Sequence, residues 1–261
     1  MTPNPRQQHL LRYVRERQSS TVDELATRLG VTAQTIRRDA RRMAEAGLLA
    51  RFHGGVSVPG STTENLAYTQ RENLNAAGKR RIADVVARAV PNGCSLFINI
   101  GTTTEAIARA LMRHTGLRVI TNDLNVAVTL SRNHGCEVIV AGGVVRPRDG
   151  GIIGEATIDF IRQFKVDIAL IGISSIEADG SLRDYDYREV KVSQAIIAHA
   201  REVWLAADMT KFNRQAMVKV VDIAQIDRLF TDAAPPSPFP QLLAQANVHC
   251  EIAAGSKTEP T

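Results

Sequence analysis

Residues 95–111, SLFINIGTTTEAIARAL, decide how most of this chain reads. The first six residues form a short apolar run with strand character. From Thr104 onward the apolar positions fall at helical spacing. Gly101 sits between the two and lets the backbone turn tightly. The amides and hydroxyls of Thr102, Thr103 and Thr104 then collect at a helix N-terminus, where the backbone dipole is positive and an anion is welcome. A strand-to-helix turn of this composition also serves as pure structure, so this stretch alone leaves both readings open.

The same alternation extends outward from Lys79. Helical segments at 79–90, 104–114, 125–133, 157–164 and 188–200 interleave with strand segments at 95–100, 118–122, 137–143, 167–173, 202–208 and 228–232. Apolar strands between amphipathic helices predict a mostly parallel sheet covered on both faces, an α/β fold. Ligands of such sheets bind beyond the carboxyl ends of strands. Asn122 and Asp123 fall at one such end. Asp186, Glu189 and Lys191 follow another, in IGISSIEADGSLRDYDYREVKV (171–192), and Asp208 and Lys211 a third, in AADMTKF (206–212). Arg146 and Arg148, near Gly142-Gly143, are expected to be solvated. Residues 234–241, APPSPFPQ, are expected to turn, and residues 253–261 to fray.

With 261 residues the chain is long enough for about two domains. Its 44% hydrophobic and 23% charged composition excludes collagen-like, disordered and disulfide-stapled classes. The opening MTPNPRQQHLL has no apolar core, and no window approaches the length of a membrane span, so neither a secretory leader nor a transmembrane segment is expected. Cys94, Cys136 and Cys250 are odd in number and far apart, which fits reduced thiols in the cytoplasm. The six histidines are scattered without ligand spacing, and neither a metal nor a cofactor is expected.

The net charge of +5 is localised. Residues 1–57 carry ten arginines and five acids, whereas lysines plus arginines equal acids over 58–261. A basic module on a neutral body suggests a polyanion-binding head. Within it, residues 5–18 read as a first helix. Thr21 and Glu24 form a capping box for a second, which Gly30 stops. Thr32 caps a third, with Ala33, Ile36, Ala40 and Met43 on one face and Gly47 beyond its end. LLARFHGGVSV (48–58) then alternates as a two-stranded wing does. Helix, tight turn, basic helix and wing together describe a winged helix-turn-helix. Its third helix would place Gln34, Thr35, Arg37, Arg38 and Arg41 on double-stranded DNA, with Arg51 and His53 of the wing near the backbone. Asp39, inside this cluster, is expected to brace an arginine. The expected organisation is a head over 1–58, a linker over 59–78 opening on PGSTTEN, an effector-binding and oligomerisation body over 79–252, and a tail.

These motifs carry a resemblance. TAQTIRRDARRMAEAGLL (32–49) followed by RFHGGV (51–56) resembles the N-terminal module of the DeoR family of bacterial transcriptional repressors; Ala40 departs from it, since the family usually has a larger aliphatic residue there. Residues from about 76 to 252 resemble the family's C-terminal sensor domain, which the resemblance makes similar in fold to ribose-5-phosphate isomerases. LFINIGTTTE, QFKVD, DYREVKVSQAIIA and LAADMTKF resemble the glycerol-3-phosphate-responsive subgroup. The resemblance implies a repressor that binds operator DNA and releases it when a phosphorylated inducer, glycerol 3-phosphate, binds; a cytoplasmic homo-oligomer, dimer or tetramer, is expected because two linked heads turn weak single-site contacts into tight binding. Carried over by motif, Gly101, Thr102, Thr103 and Thr104 would hold phosphate with Lys211 as counter-charge, while Asp186, Glu189 and Asp208 would face hydroxyls.

Two other classes compete. A sugar-phosphate isomerase with a DNA-binding appendage needs a carboxylate base. Ribose-5-phosphate isomerases place an acid-rich run after the corresponding strand, where this chain has Gly172-Ile173-Ser174-Ser175-Ile176, leaving only Glu189 with Lys191 as a substitute. An architectural DNA-binding protein without a ligand would leave the threonine-rich turn unexplained.

Overall fold

A computed structural model of the chain describes residues 3–17, 19–52, 54–57, 62 and 65–253. The head contains α1 (Pro5–Arg17), β1 (Ser19–Thr21), α2 (Val22–Leu29), α3 (Ala33–Glu45), β2 (Ala50–Phe52) and β3 (Gly55–Ser57). Thr21 caps α2 by accepting from the Glu24 amide at 3.2 Å, and Gly30 ends it at φ +63°. Thr32 caps α3 by accepting from the Thr35 amide at 3.2 Å. Leu10, Val14, Leu25, Ile36, Met43 and Val56 close the small core between the helices and the wing.

Two details differ from expectation. The Glu24 carboxylate does not return to the helix start; it accepts from Ser20 Oγ (2.7 Å), Tyr13 OH (2.7 Å) and Arg17 Nη1 (3.0 Å). The wing has three strands in the order β1-β3-β2, because Ser20 pairs with Val56. A three-residue strand squeezed between two helices leaves no periodicity to read.

The joining stretch is not a featureless linker. It contains α4 (Tyr68–Asn73), and α5 (Ala76–Ala89) begins before Lys79. The body continues with β4 (Ser95–Ile98), α6 (Thr102–Ala110), β5 (Leu117–Thr121), α7 (Leu124–Leu130), β6 (Cys136–Val140), β7 (Val144–Val145), β8 (Ile152–Ile153), α8 (Glu155–Ile161) and β9 (Val166–Ile171). After these come β10 (Ser175–Ile176), β11 (Ser181–Asp184), α9 (Tyr187–Ala198), β12 (Ala200–Ala206), β13 (Val218–Asp222), β14 (Arg228–Thr231), α10 (Phe239–Gln245) and β15 (His249–Ile252).

Seven strands form one parallel sheet in the order β15-β14-β12-β9-β4-β5-β6. Alternation along each strand divides the core. Leu96, Ile98, Ile168 and Leu170 face α5, α6 and α7, whereas Phe97, Ala169, Ile171 and Leu205 face α8, α9 and α10. From β4 the chain winds outward through β5 and β6, then returns to lay β9 on the other side of β4. That reversal makes the β4/β9 junction the topological switch point, where neighbouring crossovers part and leave a crevice. Two small elements were not expected, an antiparallel sheet β10-β11-β13 and the hairpin β7-β8. The proline-rich 234–241 stretch gives way to α10 from Phe239. The three cysteines are unpaired, and among the described residues no helix is long and apolar enough to cross a membrane.

Candidate functional site

On α3 the buried stripe of Ile36, Ala40 and Met43 turns Gln34, Arg37, Arg38, Arg41 and Arg42 outward. Only Arg41 has an ion pair among the described residues, to Glu45 at 3.0 Å, with both side chains exposed. Such a pair is weak and yields readily to a phosphate. Thr35 is half-buried and shares its hydroxyl with Thr32 at 2.9 Å. Asp39 braces an arginine, but on α1: it is fully buried and receives Arg6 Nε at 2.7 Å and Gln7 Nε2 at 3.0 Å. Burial alone would raise its carboxyl, yet these bonds hold it below the ordinary range. The acid therefore orients the helix and does not cancel its outward charge. Arg51 is exposed on β2; His53 lies outside the described residues.

In the body, Asn99 links the ends of β4 and β9: its Nδ2 donates to Gly172 O at 3.3 Å and its Oδ1 accepts from the Gly172 amide at 2.8 Å. Gly101, Thr102 and Thr103 line a crevice at this switch point together with Gly172, Ile173 and Ser174; Arg71, Asp184, Glu189 and Lys211 complete the wall. Its volume is ≈ 20 Å³. Thr104 turns inward and donates to Asn99 O (2.9 Å) and Gly101 O (2.7 Å), so it holds the turn rather than facing the crevice.

Lys211 decides the character of this crevice. The residue is only 7% exposed on the crevice wall, and among the described residues its ammonium makes no hydrogen bond or ion pair. Burial pushes it down to about 7, with Arg214, Lys79 and Arg71 adding repulsion against the opposing pull of Asp208. Lys79 is also buried; its Nζ donates to Arg71 O, and burial pushes it down to about 8. Arg71 Nη2 pairs with Asp149 at 3.1 Å, while its Nε is buried without a partner among the described residues. Arg71 and Lys211 thus line the crevice beside a helix N-terminus, with Lys79 behind them on the Arg71 carbonyl, at a cost that a bound anion removes.

The predicted acidic contributors serve other groups. Arg146 is buried, against the expectation of a solvated loop residue: it donates to Asp149 (2.8 Å), Asp186 (3.1 Å) and Glu189 (2.6 Å). Arg148 is the half-exposed one. Asp186 also caps α9 through the Arg188 amide at 3.0 Å. Asp208 is fully buried; its Oδ1 accepts from the Thr210 amide at 2.9 Å, and its Oδ2 has no partner among the described residues. Asn122 and Asp123 act as scaffold. Asn122 donates to Ile152 O at 2.9 Å, and Asp123 caps α7 and accepts from the Gly101 amide at 3.3 Å. Burial, reinforced by Glu105, pushes the Asp123 carboxyl up to about 7. Lys191 is a correction: it is exposed and stacks over Tyr187 at 5.2 Å, away from the crevice.

Arg71, Lys79 and Asn99 were not singled out from the sequence. Lys79 carries a readable signal, because it falls on the apolar face of α5 with Ile82 and Val86 at helical spacing. Nothing local distinguishes Arg71 or Asn99.

Replacing Arg146 with alanine strands Glu189 and weakens the pairing of Asp149 and Asp186. Removing one partner of a buried network costs about 3–5 kcal/mol. Arg146→Ala is expected to unfold at much lower denaturant than wild type at pH 7.5, and to recover part of the loss near pH 5.5 as the stranded acids protonate. Equal midpoints for the two proteins at pH 7.5 would contradict this.

Residues 6–62 match the DeoR-like helix-turn-helix domain, and residues 74–233 match the DeoR C-terminal sensor domain. This chain belongs to the DeoR family. The glycerol-3-phosphate regulon repressor of Escherichia coli is 44% identical to this DeoR-family chain over 97% of it and 100% of the relative. The HTH-type transcriptional repressor CsqR of the same organism is 42% identical, over 95% of each. Among solved structures, ribose 5-phosphate isomerase A from Methanocaldococcus jannaschii is 15% identical, covers 53% of this chain and 55% of that one, and gives a TM-score of 0.40. That last likeness is too distant to carry a functional argument. Both of these curated relatives are named as repressors and neither as an enzyme, so the isomerase alternative has no support among them.

Proposed function

We propose that this DeoR-type repressor works in the cytoplasm as a homo-oligomer, binds operator DNA through paired heads, and releases it when a phosphorylated small molecule enters the β4/β9 crevice. The domain division supporting this is a DNA-binding head, a joining segment and an effector-binding body. The observation that carries the effector reading is the buried Lys211 side chain, without a hydrogen-bond or ion-pair partner among the described residues, on the wall of the same crevice as the Gly101–Thr103 turn. A phosphate monoester supplies the missing negative charge to Lys211, Lys79 and Arg71 and accepts from the amides at the start of α6. Glycerol 3-phosphate is the first candidate, on the name of the 44% identical relative. CsqR aligns almost as well, so the ester's identity must come from binding and not from percent identity.

Gln34, Arg37, Arg38 and Arg41 are assigned to operator DNA, with Thr35 fixing the helix start and Arg51 on the wing. Gly101, Thr102, Thr103 and Lys211 are assigned to the phosphate, with Glu189 on the far wall. Linkage requires that operator DNA weaken effector binding by the factor by which effector weakens operator binding.

The test is calorimetric titration with glycerol 3-phosphate, glycerol, inorganic phosphate and several sugar phosphates. Selective binding of glycerol 3-phosphate supports both site and subgroup. Another preferred ester changes the regulon, and no binding by any of them overturns the effector site. Charge linkage adds a signature. Lys211 at about 7 and Lys79 at about 8 are partly neutral at pH 8, and a phosphate stabilises their ammonium forms. Binding at pH 8 should therefore take up about one proton, seen as a buffer-dependent enthalpy, and affinity should fall as pH rises further.

A further inference from the structure

The two family matches stop at residue 62 and resume at residue 74, so the segment between them is claimed by neither. This segment is fastened to the crevice. Asn65 Nδ2 donates to Ser174 Oγ at 3.1 Å, and Tyr68 OH donates to Glu105 Oε2 at 2.7 Å. Arg71 O receives Lys79 Nζ and Thr102 Oγ1, the latter at 3.4 Å. The neighbouring Gln70 donates from Nε2 to the carbonyl of Arg17, the last residue of α1 in the head, at 3.2 Å. One short helix therefore touches both the anion cradle and the DNA-binding module.

The crevice of ≈ 20 Å³ holds about one water, so a phosphate ester enters only if part of the wall moves. Thr102 and Thr103 belong to α6, Glu189 to α9 and Asp184 to β11, and the connections after β4 and β9 supply much of the remainder, whereas α4, of six residues, buries none of them. Arg71 is the member of the wall best able to change partners. Its guanidinium uses Nη2 on Asp149 and leaves Nε buried and, among the described residues, unpaired. Asp149 keeps two bonds from Arg146 when Arg71 departs, so no acid is stranded. A phosphate outcompetes one carboxylate for a guanidinium because it brings more charge and more acceptor oxygens in a matching fork.

We propose that Arg71 is itself a ligand of the phosphorylated effector, and that its exchange from Asp149 to phosphate moves α4 and so reports occupancy to the head. This rests on the effector reading above. Lys211 and the threonine turn supply affinity, and Arg71 supplies the coupling between sites.

The test uses full-length protein with glycerol 3-phosphate as probe, measuring effector affinity by calorimetry and operator affinity with and without saturating effector. In wild type the operator affinity should fall by a factor within the roughly 5–150-fold range of typical allosteric coupling. Arg71→Ala should still bind effector, more weakly, while its operator affinity changes by less than about twofold at saturation. A merely structural role would lower the Tm and shift operator affinity equally with and without effector, leaving the ratio at its wild-type value. That outcome, or normal release by Arg71→Ala, overturns the proposal. Absence of effector binding in wild type overturns the effector reading and this inference with it. Should Arg71→Ala fail to fold, hydrogen exchange on wild type decides: the amides of Arg71 and Leu74, bonded to Ala67 O and Gln70 O, should change protection when effector saturates the protein, and unchanged protection refutes the role of α4.

Discussion

Arg38→Ala is expected to abolish operator binding at physiological salt while leaving effector affinity at its wild-type value. Arg38 lies diametrically opposite Ile36 on α3, is exposed, and has no ion pair among the described residues. A bidentate base contact contributes about 1–3 kcal/mol. In the proposed homo-oligomer with paired heads the substitution occurs twice, so the loss is about 2–6 kcal/mol, or roughly thirtyfold to more than ten-thousandfold in affinity. Arg38→Lys separates two modes of contact: it preserves most of the affinity if the partner is a phosphate, and little if a guanine edge is read by the planar fork. Gel-shift titration at two salt concentrations checks this, and unchanged operator affinity in Arg38→Ala removes Arg38 from the interface.

Lys211→Met should give the opposite phenotype, a repressor that holds its operator but ignores effector. Losing a buried, charge-assisted partner of a phosphate costs about 2–5 kcal/mol, or roughly thirtyfold to several-thousandfold in effector affinity. The same substitution should raise the Tm of the effector-free protein. The sign follows from the depressed pKa: between about 7 and the ordinary lysine value of 10.5, the unfolded chain binds a proton that the folded one does not. Lowering the pH through that window therefore destabilises wild type, and methionine, similar in length and uncharged, removes the penalty. Effector protects wild type against heat and should not protect the variant. A normal induction curve would refute the assignment, and a lowered Tm would mark Lys211 as structural.

Much of this architecture was legible because it depends on local rules. Thr32, Gly30 and the Ile36/Ala40/Met43 stripe announce their helices through capping and spacing, and the alternation from Lys79 onward dictates a parallel sheet. The threonine turn was legible for the same reason, since strand, glycine and helix start adjoin in sequence. What remained hidden depends on long-range partners. Arg146 looks like any loop arginine until the fold brings Asp149, Asp186 and Glu189 around it. Lys191 shares a motif with Glu189, but two residues along a helix turn a side chain through about 200°, away from the crevice. Arg71 sits in a stretch without periodicity and acquires its place only because α4 folds back over Thr102.

The bond from Arg6 to Asp39 bears on how such regulators can be rewired. A recognition helix transplanted alone, residues 33–45, would carry a fully buried aspartate into a host whose first helix need not supply Arg6 and Gln7. The unit of exchange between relatives is therefore the pair α1 and α3 together, and libraries that randomise the outward positions 34, 37, 38 and 41 should keep residues 6, 7 and 39 constant.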